Sequence, residues 1–165
     1  MTNDYKKLIP LLVRRQIKFV IIGGVAAVVH GSARVTFDLD VVYARDQENI
    51  LRLVQALKPH SPYPRGAPPG LPFVFDQETV QSGLNFTLTT TLGDLDLLGE
   101  VLGGGTYEEV LQHSEEIEVF GVNCQCVGLE HLIQIKRAAG RPRDFEAIAE
   151  LEAILEERQK KPDSL

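Results

Sequence analysis

One short pattern occurs twice in this chain, as "FDLDVVYA" at 37–44 and as "GDLDLLGE" at 93–100. Residues i and i+2 of a β-strand share a face. Asp38 and Asp40 therefore lie together, followed on that face by Val42, while Phe37, Leu39, Val41 and Tyr43 form the other. Asp94 and Asp96 repeat the arrangement ahead of Leu98. Each strand is charged at one end and apolar on both faces beyond it. Two carboxylates ~6.5 Å apart repel by about 2.5 kcal/mol at an effective dielectric near 20. Either water screens them or a cation binds between them. Hard cations such as Mg²⁺ prefer carboxylate oxygens and commonly use one or two, completed by substrate phosphates. If the two strands are neighbours, a third carboxylate joins the first pair. Such a cluster suits in-line displacement at phosphorus. A single Asp-x-Asp is equally a solvated strand end; the repeat favours a site.

The surrounding pattern places these strands in a mixed fold. Residues 4–16 have helical apolar spacing, with Pro10 predicting a late start or a kink. "KFVII" at 18–22 is a buried strand ending at Gly23-Gly24. A short helix over 25–30 closes at Gly31, the strand 38–44 follows, and Asp46 caps a helix running to residue 58. Residues 59–72 hold six of the nine prolines and are expected to form a long loop, of a kind that is often functional or mobile. Strands are expected at 84–92 and 93–101, a flexible turn at "GGGT", a short helix at 107–113, and two strands or a hairpin around Gly121. Two helices close the chain over about 128–158, the first ended by Gly140 and the second capped near Asp144, with 159–165 a disordered tail. The fold class is α/β (α+β): one domain over 1–165, with helices covering a mixed sheet.

Composition narrows the partners. The net charge of −6 disfavours sequence-independent coating of nucleic acid, though not a local basic pocket. Cys124 and Cys126 share a strand face and show no ligand spacing; they read as buried free thiols in a reducing cytoplasm. No apolar run reaches the ~18 residues of a membrane span, and the first residues lack a signal-peptide pattern. The expectation is a cytoplasmic protein without a membrane partner.

Gly23-Gly24 between a strand and a short helix lets backbone N–H groups approach an anion, although many such turns use glycine for steric reasons. Neither GxxxxGK[ST] nor GxGxxG is present. An apolar strand, Gly-Gly, thirteen residues and "DLDV" together resemble the DNA polymerase β-like nucleotidyltransferase superfamily. "GGVAAVVHGSARVTFDLDVV" also resembles the signature of its small bacterial branch, which includes the AbiEii-type toxins and minimal nucleotidyltransferases. "LEHLIQIKRAAGRPRDFEAIAEL" is similar to the helical close of that branch. The likeness spans about Lys18 to Leu151.

The resemblance implies a mixed-sheet nucleotidyltransferase fold flanked by helices. It implies Mg²⁺, or Mn²⁺, held by Asp38, Asp40 and Asp96, with Asp94 in reserve. It implies an NTP whose triphosphate rests on Gly23 and Gly24. Relatives often carry serine after the first glycine, where this chain has Gly24 and must rely on backbone N–H groups. Arg34, Lys136, Arg141 and Arg143 are the candidates for phosphate contacts. Each also has a plainer reading: Arg34 a loop salt bridge, Lys136 a side chain snorkelling at a helix edge, Arg141 and Arg143 partners for an anion or Asp144. His30 is expected to support the end of its helix. The implied reaction moves an NMP from the NTP to an acceptor hydroxyl on a tRNA, a protein or a small molecule. The rival readings are a non-catalytic antitoxin or regulatory partner in a toxin–antitoxin pair, and a metal-dependent nuclease.

Overall fold

The computed structural model describes residues 5–160. In chain order it contains α1 (Tyr5–Arg14), β1 (Phe19–Ile22), α2 (Gly23–Val29), β2 (Leu39–Tyr43), α3 (Gln47–Leu57), β3 (Tyr63–Pro64), α4 (Gln77–Ser82), β4 (Asn85–Thr90) and β5 (Gly93–Leu98). Then come β6 (Glu100–Val101), β7 (Gly105–Thr106), α5 (Tyr107–Leu111), β8 (Ser114–Val119), β9 (Val122–Val127), α6 (Leu129–Ala139) and α7 (Phe145–Lys160). Seven strands form one mixed sheet in the order β3-β4-β5-β2-β1-β9-β8. β2 runs parallel to β5 and β1 parallel to β9; the other neighbours are antiparallel.

β1, β2 and β5 occupy the centre because they are apolar on both faces. Val20, Ile21, Leu39, Val41, Val42, Tyr43, Leu95 and Leu97 are fully buried. α2 packs on β1, β2 and α6, and α6 packs on α7. The start of α3 is fixed by its cap, where the Asp46 carboxylate accepts from the Asn49 N–H at 3.0 Å. The hairpin at Phe120-Gly121 has both central residues at positive φ, the requirement of a tight two-residue turn matching strand twist.

Several local expectations are corrected. α1 starts at Tyr5 and continues through the buried Pro10, so the late start is not seen. α2 begins at Gly23, two residues early. The strand expected over 93–101 breaks at Gly99, where a Cβ would stand 2.9 Å from the Leu84 carbonyl; β6 then pairs with β7 around the glycines read as a flexible turn. The proline-rich segment contains the edge strand β3, and the six-residue helix α4 follows it. α7 extends to Lys160, taking in the first residues of the expected tail; 161–165 lie outside the described residues. Cys124 and Cys126 are buried free thiols on β9, with burial raising them to about 11 and about 12. Among the described residues no helix is long and apolar enough to cross a membrane.

Candidate active site

The repeated motif converges as its spacing allows. In the β2–β5 register Asp40 is the direct partner of Asp96. Asp38 and Asp94 lie two residues earlier on the same face, so four carboxylates share one end of the sheet. Asp40 and Asp96 also line a cavity of about 460 Å³ whose other walls include Gly23, Gly24, Leu132, Ile135, Lys136 and Arg141. Burial, then a hydrogen bond with Asp96 and the charges around it, pushes Asp40 up to about 8, against a weak opposing pull from Lys136. Desolvation also raises Asp38, opposed by the Arg65 guanidinium.

The paired glycines are explained by what crowds them. A Cβ on Gly23 would stand 2.0 Å from Asp40 Oδ2, and Gly23 has φ +66°, a conformation L side chains avoid. A Cβ on Gly24 would stand 2.5 Å from Thr36 Oγ1. The loop from α2 thus folds Thr36 back over the helix start, and β2 presses Asp40 against it. Both glycines are there for close approach. Their place on the cavity wall leaves backbone available to a ligand as well.

Lys136 projects from α6 toward this cavity. A second glycine pair holds α6 in place. A Cβ on Gly103, which has φ +82°, would stand 2.4 Å from the Ala138 Cβ, and one on Gly104 would stand 2.7–2.9 Å from Val101 and Ile135. Gln134 Nε2 donates to the Gly103 carbonyl at 3.1 Å. The β6–β7 turn is therefore seated on α6 and sets the height of Lys136 over the carboxylates.

The remaining basic candidates separate. Arg34 pairs with Glu146 at 3.2 Å and Glu150 at 3.8 Å, and with Gly24, Thr36 and Lys136 it lines a smaller cavity of about 120 Å³. Glu150 also accepts from the Ser32 hydroxyl at 2.5 Å and the Ala33 N–H at 3.1 Å, so this group pins the loop onto α7. Arg141 lines the cavity, with its Nε donating to Asp144 at 2.7 Å. Arg143 is exposed and does not line that cavity. His30 is buried at the end of α2, with Nε2 at 2.7 Å from the Val127 carbonyl and Arg158 donating to its own carbonyl at 3.0 Å.

Sequence reasoning missed Arg65. Its guanidinium stands 2.9 Å from Asp96 Oδ1, 3.4 Å from Asp94 Oδ2 and 3.5 Å from Asp38 Oδ2. The available signal was a single arginine within the proline-rich segment. What it would touch depends on how β3 pairs with β4, which the local pattern does not reveal. Among the described residues, no three His, Cys, Asp or Glu side chains come together as a ready ion site. Arg65 engages one oxygen from each of three carboxylates that share the face.

A solved structure from Thermotoga maritima, described as a "putative nucleotidyltransferase", superposes with a TM-score of 0.58 over 91% of this chain and 93% of that one, at 13% identity. The fold is that of a nucleotidyltransferase. Residues 91–164 match the family described as a nucleotidyl transferase of unknown function (DUF2204). That match takes in Asp94, Asp96, Lys136, Arg141 and Arg143 and stops short of Gly23, Gly24, Asp38 and Asp40. No curated protein matches the sequence.

The donor set suits a hard divalent cation. Asp40 and Asp96 present carboxylate oxygens to one another at a cavity wall, the hard oxygen donors that Mg²⁺ or Mn²⁺ takes.

Proposed function

We propose that this chain is a divalent-metal-dependent nucleotidyltransferase that moves an NMP from an NTP to an acceptor hydroxyl, with release of pyrophosphate. The observation that carries this reading is the Asp40–Asp96 pairing across parallel strands, beside Gly23 on the wall of the cavity. Asp40 and Asp96 would hold Mg²⁺, with Asp38 beside them on the same face. Bound there, Mg²⁺ supplies charge stabilisation to the attacking and leaving oxygens at phosphorus.

The chain's own groups supply the rest. Gly23, Gly24 and Lys136 line the cavity, where the glycine backbone N–H groups and the Lys136 ammonium would orient and neutralise the triphosphate. Arg141 reaches the same cavity from the far end of α6. Asp96 would also accept the acceptor's proton. Arg34, through Glu146 and Glu150, would hold the α2–β2 loop, and Arg143 has no part in this reading. Assignment to the AbiEii-type branch rests on the residues from Gly23 to Val42, and a toxin–antitoxin partner follows only from that branch.

The test is transfer of label from α-³²P-NTPs with Mg²⁺ and cell extract. The expected result is a labelled acceptor and free pyrophosphate, abolished in Asp40→Asn and Asp96→Asn. Transfer undiminished in both variants, or label released without pyrophosphate, would overturn the reading. Pyrophosphate release also separates it from a nuclease.

A further inference from the structure

Arg65 is built into the site from its backbone outward. It follows the edge strand β3, whose Tyr63 and Pro64 pair with Thr89 and Leu88. Its own N–H donates to the Thr87 carbonyl at 2.9 Å, continuing that register. A turn closes immediately after it: the Ala67 N–H donates to the Pro64 carbonyl at 3.3 Å, with Gly66 at φ +81°. Arg65 is thus presented from a paired strand and a tight turn. Nη2 donates to the uncharged Leu88 carbonyl at 2.9 Å as well as to Asp96. Nε is fully buried without a hydrogen-bond partner, held 3.4 Å from Asp94. A guanidinium drawn in only by loose surface attraction would have no reason to bury Nε or to bond a carbonyl.

Its position divides the carboxylates. Arg65 engages Asp38, Asp94 and one oxygen of Asp96. It does not engage Asp40, which faces the cavity beside Asp96. Two-metal phosphoryl-transfer sites hold their ions about 3.5–4 Å apart with shared carboxylates. Asp40 is the one carboxylate of the four that Arg65 does not touch, and it meets the other side of Asp96 at the cavity wall.

Resting on the metal-dependent reading above, we infer that Arg65 is a fixed cation standing in place of a second metal ion. The site then takes one divalent ion, at Asp40 and Asp96, with the guanidinium neutralising Asp38 and Asp94 on the other side. A planar, permanently charged fork that bridges several carboxylates suits this task, and lysine does not replace it.

The experiment titrates Mn²⁺ into the full chain, with and without a non-hydrolysable NTP analogue. It counts bound ions by equilibrium dialysis, corrected for ion held by free analogue, and records the Mn²⁺ electron paramagnetic resonance spectrum. Wild type is expected to bind one ion per chain in both arms, with no spin coupling between ions. Arg65→Gln is expected to bind two in the analogue arm, with the exchange-coupled spectrum of a close pair. Two coupled ions in wild type, or one ion in folded Arg65→Gln, would overturn the inference and leave the nucleotidyltransferase reading standing. No ion in either protein would overturn both. If Arg65→Gln does not fold, the wild-type count and spectrum decide alone.

Discussion

Gly23 and Asp40 share one space: the Cβ that any other residue would place at 23 falls 2.0 Å from Asp40 Oδ2. The glycine that opens α2 and the carboxylate on β2 are therefore a single feature. Gly23→Ala meets both this clash and a φ of +66°, and the left-handed conformation alone costs about 1–2 kcal/mol. We expect a destabilisation above about 2 kcal/mol in urea unfolding, together with weaker Mg²⁺ binding because Asp40 is displaced. A stability loss with unchanged ion affinity would show that Asp40 does not hold the ion.

Gly24 and Thr36 stand in the same relation. A side chain at 24 would meet Thr36 Oγ1 at 2.5 Å. The departure from the serine that relatives often carry here thus has a steric cause in this chain. Gly24→Ser alone is expected to destabilise, and Gly24→Ser combined with Thr36→Ala to recover most of the loss. The measurement is a double-mutant cycle in urea unfolding, with a coupling of about 1 kcal/mol or more. Additive effects would mean that the loop moves aside freely.

Asp40 gives the metal-free protein a defined pH dependence. Its folded value, about 8, lies above the unfolded value of 3.8. The unfolded chain releases this proton first, so the contribution is fully present below about pH 4 and is lost as pH rises toward 8. In the proposed site Mg²⁺ would take the place of the proton. The rise in Tm on adding Mg²⁺ is therefore expected to be larger at pH 8 than at pH 6, with proton release seen by calorimetry in buffers of different ionisation enthalpy. Mg²⁺ stabilisation equal at both pH values would contradict this.

Asn49 is the buried polar knot of the fold. Its Oδ1 accepts from the Lys18 N–H at 2.7 Å, and its Nδ2 donates to the Ala44 carbonyl at 2.8 Å and the Lys18 carbonyl at 3.1 Å. It joins the entry to β1, the exit from β2 and the first turn of α3. Asn49→Leu leaves the Lys18 N–H and the Ala44 carbonyl without this partner, each costing about 1–3 kcal/mol, while the Lys18 carbonyl keeps the Ala44 N–H at 3.1 Å. Thermal unfolding is expected to show a loss of about 3 kcal/mol or more. A change under 1 kcal/mol would mean that water satisfies those groups.

Asp46 caps the same helix and has the opposite pH sign. The Asn49 N–H, then Lys18, holds its carboxyl below the usual range. Its contribution is present above the unfolded value near 4 and is lost as pH falls through the lower folded one. Asp46→Ala should cost about 1 kcal/mol at pH 7. That difference should shrink toward pH 3 in urea titrations of the two proteins.

Local sequence determined the strands, the caps and the charged strand ends, because these depend on periodicity and on neighbours within a few residues. From it came the mixed fold, Asp38 with Asp40 and Asp94 with Asp96 each on one face of its strand, and two strands or a hairpin around Gly121. Only tertiary structure decided which carboxylates meet. The register of β2 on β5 pairs Asp40 with Asp96, and no property of either segment alone fixes that register. Tertiary structure also decided the partners of the basic residues. Arg34 lies on the loop after α2, yet its charge is taken by Glu146 and Glu150 on α7, over a hundred residues away. Arg65 lay in a segment read as a loop, and pairing of β3 with β4 carries it into the carboxylates. A side chain's charge is written in the sequence; the charge that faces it is chosen by how distant segments pack.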